Sequence, residues 1–196
     1  MKLWSQIFGG FAICLGFFQL NLSAQANTQT AFNWKNGRYE IRGEVFAVDH
    51  GEKLFTYEKT LNKQDKNLET TAKYYSLDGK EAFVQTAKVE NGNLKNYSFQ
   101  GYQSKSSGTV DLSYAHTRPR ASFRLEKDQK TKTDEDKIAN LPVSPGNLVE
   151  TIFFRWDDLL SDKAVDVSMM VIEELDAFSF TIMREPKPNA DEEWFI

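Results

Sequence analysis

Cysteine occurs once in the 196 residues, histidine twice and proline five times. A single cysteine, Cys14, leaves nothing to pair with, so no disulfide framework exists within the chain. The histidines, His50 and His116, stand in separate stretches with no ligand spacing between them, so neither a zinc site nor a His-activated nucleophile is indicated. Phosphate-cradling glycine loops, GxSxG elbows and HExxH helices are missing as well. The acidic pairs Asp157-Asp158 and Glu173-Glu174 are sequence neighbours. Neighbouring side chains diverge by about 100° on a helix or 180° on a strand, which makes them poor acid/base dyads. Basic residues number 24 against 28 acidic ones and are interspersed with them, which argues against a nucleic-acid partner. These absences point to a protein that is no enzyme, with no metal and no cofactor.

Long apolar runs are also scarce, with one exception at the start of the chain. Residues 7–22 are mostly apolar, follow the cationic Lys2 and lead to Ala24-Gln25-Ala26, the small-x-small pattern a signal peptidase needs. Gln19 and Asn21 interrupt the run, and no basic stop-transfer flank follows, which disfavours a membrane span. Cys14 follows Ile13 rather than a small residue, unlike a lipidated cysteine. The expectation is a signal peptide over residues 1–26, cleavage after Ala26, and a periplasmic or secreted chain without cysteine and without a membrane span.

What remains, residues 27–196, is the length of one domain. Fifteen phenylalanines and seven tyrosines lean it toward sheet. Residues 27–36 are polar apart from Phe32 and Trp34. Beyond them Tyr39, Ile41, Val45 and Ala47 alternate with charged residues, and Phe55, Tyr57 and Leu61 do so on the return. Asp78-Gly79 and Asn91-Gly92 are strong hairpin signals between residues 70–77, 82–89 and 94–102. Shorter alternations follow around Val110 and Phe123. Residues 62–67 read as a charged connection, and residues 127–137, KDQKTKTDEDK, as a solvated loop.

Residues 144–184 hold the densest apolar surface. Ser144 reads as an N-cap with Pro145 at the first helical position. On a helical wheel Leu148, Val149, Ile152, Phe153, Trp156, Leu159 and Leu160 fall within an arc of about 140°. This predicts one amphipathic helix near residues 145–161, with Trp156 as a core anchor and Glu150 and Thr151 on its solvent side. The period then shifts to two. Val165, Val167, Met169 and Val171 form one strand, and Phe178, Phe180 and Ile182 a second, antiparallel to it. The expected fold is mainly β (α+β): a large curved antiparallel meander packed against one main amphipathic helix. Phe154 falls alone among polar neighbours on the wheel, and is either covered by a loop or a contact for a lipidic ligand or partner. Trp194-Phe195-Ile196 reads as the opening of a further strand, paired antiparallel with residues 178–183, as though the chain were cut short.

The stretch from Ser144 to Val171, with Pro145, Gly146, Trp156, Asp157, Leu159 and Leu160, resembles a segment of uncharacterised exported bacterial β-rich proteins. More distantly these are similar to periplasmic lipoprotein-carrier folds, in which a curved sheet wraps helices around an apolar cavity. That resemblance implies no catalytic residues. It implies an exported, non-enzymatic binding or carrier module for an apolar or lipid-like ligand. The alternative is a structural or interaction protein of the envelope whose sheet is filled by its own helix. An exported hydrolase is a remote third.

Overall fold

The computed structural model describes residues 34–47 and 51–184. Eight strands follow one another in an antiparallel meander whose order in space is their order in sequence. They are β1 (Gly37–Phe46), β2 (Lys53–Gln64), β3 (Asn67–Tyr75), β4 (Glu81–Glu90), β5 (Asn93–Gly101), β6 (Ser106–Ser113), β7 (Arg120–Lys127) and β8 (Lys130–Lys137). Period-two alternation decides which side of each strand is buried. Tyr57 and Leu61 of β2, Leu68 and Ala72 of β3, Ala87 and Val89 of β4, and Tyr97 and Phe99 of β5 share one face. Val110 and Leu112 of β6 and Ala121, Phe123 and Leu125 of β7 continue it. Bulges after Val45, Tyr74 and Lys88 help curve the sheet.

Residues 138–184 lie on that buried face as a compact plug. β9 (Leu141–Val143) leads through α1 (Leu148–Phe154) and α2 (Trp156–Leu160) to β10 (Val165–Val171), which runs parallel to β9. β11 (Asp176–Ile182) then pairs antiparallel with β10, so the small sheet has the order β11-β10-β9. Ile138, Met170 and Ile172 of this segment join the same apolar core as Leu68, Leu94, Val110 and Phe123.

The hairpins at Asp78-Gly79 and Asn91-Gly92 stand where the sequence puts them. Asn91 and Gly92 have φ of 52° and 78°, both in the left-handed region, as a two-residue hairpin turn demands. The β10–β11 pair also stands as read. Three expectations change. Residues 62–67 are no open connection: β2 and β3 run almost together and turn at Asp65-Lys66, where Asp65 takes a φ of 54°. Residues 130–137 are strand β8, not a loop, joined to β7 by Asp128 and Gln129 with φ of 51° and 61°. Their side chains are almost all exposed, so no apolar alternation marks them.

The third change concerns the helix, which is two short pieces broken at Arg155 rather than one run from residue 145. Its late start has its cause in a buried polar knot. The Ser144 N–H and hydroxyl both donate to Asn147 Oδ1, at 2.7 and 2.8 Å. The Asn147 amide donates to Thr151 Oγ1 at 3.2 Å, and the Thr151 hydroxyl to the Asn147 carbonyl at 2.9 Å. Residues 144–147 are thereby held as a turn, and Asn147 rather than Ser144 precedes the helix. Asn147, Glu150 and Thr151, one helical stripe, are the buried positions here. Glu150 and Thr151 therefore face inward, not to solvent. Of the seven residues on the apolar arc only Leu159 is buried, the others being half-buried. Trp156 is half-buried beside Phe153 and is no core anchor. Residues 1–26, expected to be a signal peptide and including Cys14, lie outside the described residues, as do His50 and residues 194–196.

Candidate functional site

The seam between the plug and the large sheet holds the least expected side chains of the fold. Parity along β2 turns Tyr57, Lys59, Leu61 and Lys63 to the same face, so two lysines enter the interior with their apolar neighbours. Thr70 and Gln85, on β3 and β4, are buried there too. Lys59 Nζ meets Glu150 Oε1 at 2.7 Å, with 9% and 3% of the two side chains exposed. The Thr70 hydroxyl donates to the Gly146 carbonyl at 3.1 Å. Gly146 is glycine for a local reason, since a Cβ there would stand 3.3 Å from both the Ala87 Cβ and the Tyr97 ring. The plug is thus tied to β2, β3, β4 and β5 in sequence.

Glu150 Oε2 is the one buried side-chain oxygen or nitrogen among the described residues without a hydrogen-bond partner. The phenol of Tyr57 is raised above its ordinary value, first by burial and then by the negative charge of Glu150. Glu150 neutralises Lys59 and fixes α1. Lys63 is satisfied differently, donating to Asn36 Oδ1 at 3.1 Å and lying 5.5 Å from the centre of the Trp34 ring.

Past this ion pair the same face of the sheet carries a row of aromatic rings. Tyr74 stacks on Phe83 at 4.0 Å and 6°, Tyr57 on Tyr74 at 5.7 Å, and Phe55 meets Phe83 edge-on at 6.3 Å. Phe55, Tyr74 and Phe83 are half-buried, where Tyr57 is buried. Tyr57 lies across Gly43 so closely that a Cβ on that glycine would be 2.4 Å from its ring. A second cluster forms where the chain enters β1. Trp34 packs against Phe154 at 5.2 Å, Phe153 at 5.8 Å and Tyr39 at 6.2 Å. Phe154, the candidate ligand contact, is therefore half-buried against Trp34.

Other sequence candidates stay apart. His116 is exposed in the turn before β7. Asp158 faces Arg155 and Lys163 at the protein surface, while Glu173 and Glu174 lie in the β10–β11 turn. Among the described residues no three His, Cys, Asp or Glu side chains gather as metal ligands, and no helix is long and apolar enough to cross a membrane. Two surface grooves, of about 410 and 480 Å³, lie away from the seam. The first runs over the β2–β3 and β4–β5 turns and the second over the outer face of β4 to β7. Neither lies between α1 and the large sheet.

The fold and the seam define a curved antiparallel meander plugged by its own strand–helix–strand unit. No known protein family, curated protein or solved structure matches the chain.

Proposed function

We propose that this chain is an exported, non-enzymatic interaction module of the cell envelope that works through its outer surface. The observation that carries the reading is the seam. The face on which a carrier fold would hold an apolar ligand is occupied by the chain's own Gly146, Glu150 and Ile172, tied to Thr70, Lys59 and the backbone at Gly108. A scaffold closed in this way offers partners its strand faces and turns.

A second reading has one observation in its favour. The half-buried row Phe55, Tyr74 and Phe83 lies on the plugged face beyond the Lys59–Glu150 pair, and such a row suits a lipid-like ligand at the rim of the sheet. Native mass spectrometry of protein purified from the periplasm separates the two. The interaction module gives the bare polypeptide mass, whereas retained lipid would favour the carrier. An intact N-terminus recovered in the membrane fraction would show residues 7–22 to be an anchor instead of a cleaved signal.

A further inference from the structure

The outer face of the large sheet is not flat. β6 carries the short side chains Ser107 and Thr109 outward, opposite Gln100 and Ser98 on β5 and Glu126 and Arg124 on β7. Long side chains on both neighbours and hydroxyls between them make a furrow of about 480 Å³ along β6. On the opposite face of the same strand, Gly108 has no side chain and Ile172 packs onto its backbone. A Cβ there would be 2.3 Å from Ile172 Cγ2 and 2.9 Å from the Arg124 carbonyl oxygen. The sheet closes onto the plug at this point, and the furrow opens behind it.

The furrow is lined by apolar carbon as well as by polar groups, and it is electrically balanced. Arg124 and Glu126 are paired with each other, so the lining brings one charge of each sign and no net field. Thr86 and Ser98 share a hydrogen bond of 2.7 Å on its β4 side, and the Asn96 amide donates to Asp111 at 2.7 Å beyond Thr109. At the other end stands Tyr102, 50% exposed. Glu81, paired with Lys73 at 3.2 Å, lies close enough to raise the phenol. The Tyr102 ring stands at the end of a row of hydroxyl, amide, guanidinium and carboxylate groups.

We infer that the β6 furrow binds a neutral oligosaccharide, with Tyr102 as the platform for one sugar ring and Gln100, Arg124 and Glu126 reading the hydroxyls along the chain. An aromatic face takes the apolar C–H side of a pyranose, while forked and planar polar groups meet its equatorial hydroxyls. Charge balance disfavours a polyanion, which needs a surplus of cations. A bound peptide would find no free strand edge here, because β4 to β7 are paired on both sides.

This inference rests on the outer-surface reading above, and NMR titration of the periplasmic protein with chitohexaose and with cellohexaose tests it. At least one of the two should shift the amides of residues 98–102, 107–109 and 124–126. Tyr102→Ala, which leaves the sheet pairing untouched, should weaken that binding about tenfold or more. Thr109→Arg, filling the floor, should abolish it with the rest of the spectrum intact. No shift with either probe at millimolar concentration overturns the glycan assignment, and the outer-surface reading then stands or falls on its own mass measurement. Shifts confined to residues around Phe55, Tyr74 and Phe83 overturn both.

Discussion

Lys59 and Glu150 are the charges this fold buries at greatest cost, and they survive inside it only as a pair. Taking one partner away leaves an uncompensated interior charge. Lys59→Met or Glu150→Leu alone should therefore lower stability by about 3–5 kcal/mol in chemical denaturation. The double substitution Lys59→Met with Glu150→Leu should recover most of that loss, because it removes both desolvation costs and the unpartnered Oε2 together. A double variant as unstable as the worse single one would show that the pair is more than an electrostatic tie. Tyr114 sets an alkaline limit. Its phenol is pushed up to about 12 from an ordinary 10.0 by burial, and its hydroxyl donates to the Leu94 carbonyl at 2.6 Å. The unfolded phenol releases its proton first, so its contribution to stability is intact below pH 10 and lost as the pH climbs toward 12. Tyr114→Phe should flatten that part of the stability–pH curve and cost about 1 kcal/mol at neutral pH for the lost bond. An unchanged alkaline slope would contradict the assignment.

Strand β8 shows how an element can be present without an apolar signature. Lys130–Lys137 closes one edge of the large sheet, and its charges on both faces discourage pairing with another chain, as an edge strand requires. Its turn is hidden as well, since Asp128 and Gln129 adopt positive φ without a glycine. Left-handed backbone is strained for residues with a Cβ. Gln129→Gly should thus stabilise the protein by about 0.5–1 kcal/mol after the entropy of the added glycine is deducted. A loss of stability in thermal unfolding would argue against the turn described. The strands that alternate cleanly, from Tyr39 on β1 to Phe123 on β7, were legible because burial on one face writes itself into every second residue. So were the turns built on glycine. The helix was misread for a physical reason: the wheel assumes that apolar residues point inward, whereas Ser144, Asn147, Thr151 and Glu150 satisfy one another or Lys59 and so go inside. Half of the site carried a signal that went unread. Lys59 has the parity of Tyr57 and Leu61, and so does Lys63 once residues 62–64 are strand rather than connection. An acidic partner therefore had to come from elsewhere in the chain. Which one it was depended on how residues 138–184 cross the sheet, and no local pattern encodes that crossing.

On the scale of the whole molecule, eight strands in sequence order pair through tight connections, and a single long excursion brings β9 to β11 back across them. The claim on which the rest depends is that this excursion occupies the buried face of the meander in the free protein. Gly146 over Ala87 is the place to measure it, since a Cβ on residue 146 would stand 3.3 Å from the Ala87 Cβ. A shift of a few tenths of an ångström, which also relieves the contact with Tyr97, reaches the ~3.5–4.5 Å of a disulfide. A chain carrying Cys14→Ser, Ala87→Cys and Gly146→Cys, folded under reducing conditions and then mildly oxidised, should form an intramolecular disulfide in nearly every molecule. Either single cysteine should stay unreactive toward thiol reagents until the protein unfolds. Two freely reactive thiols in the folded double variant, with no cross-link, would mean that the plug does not sit on β4 and that the face is open.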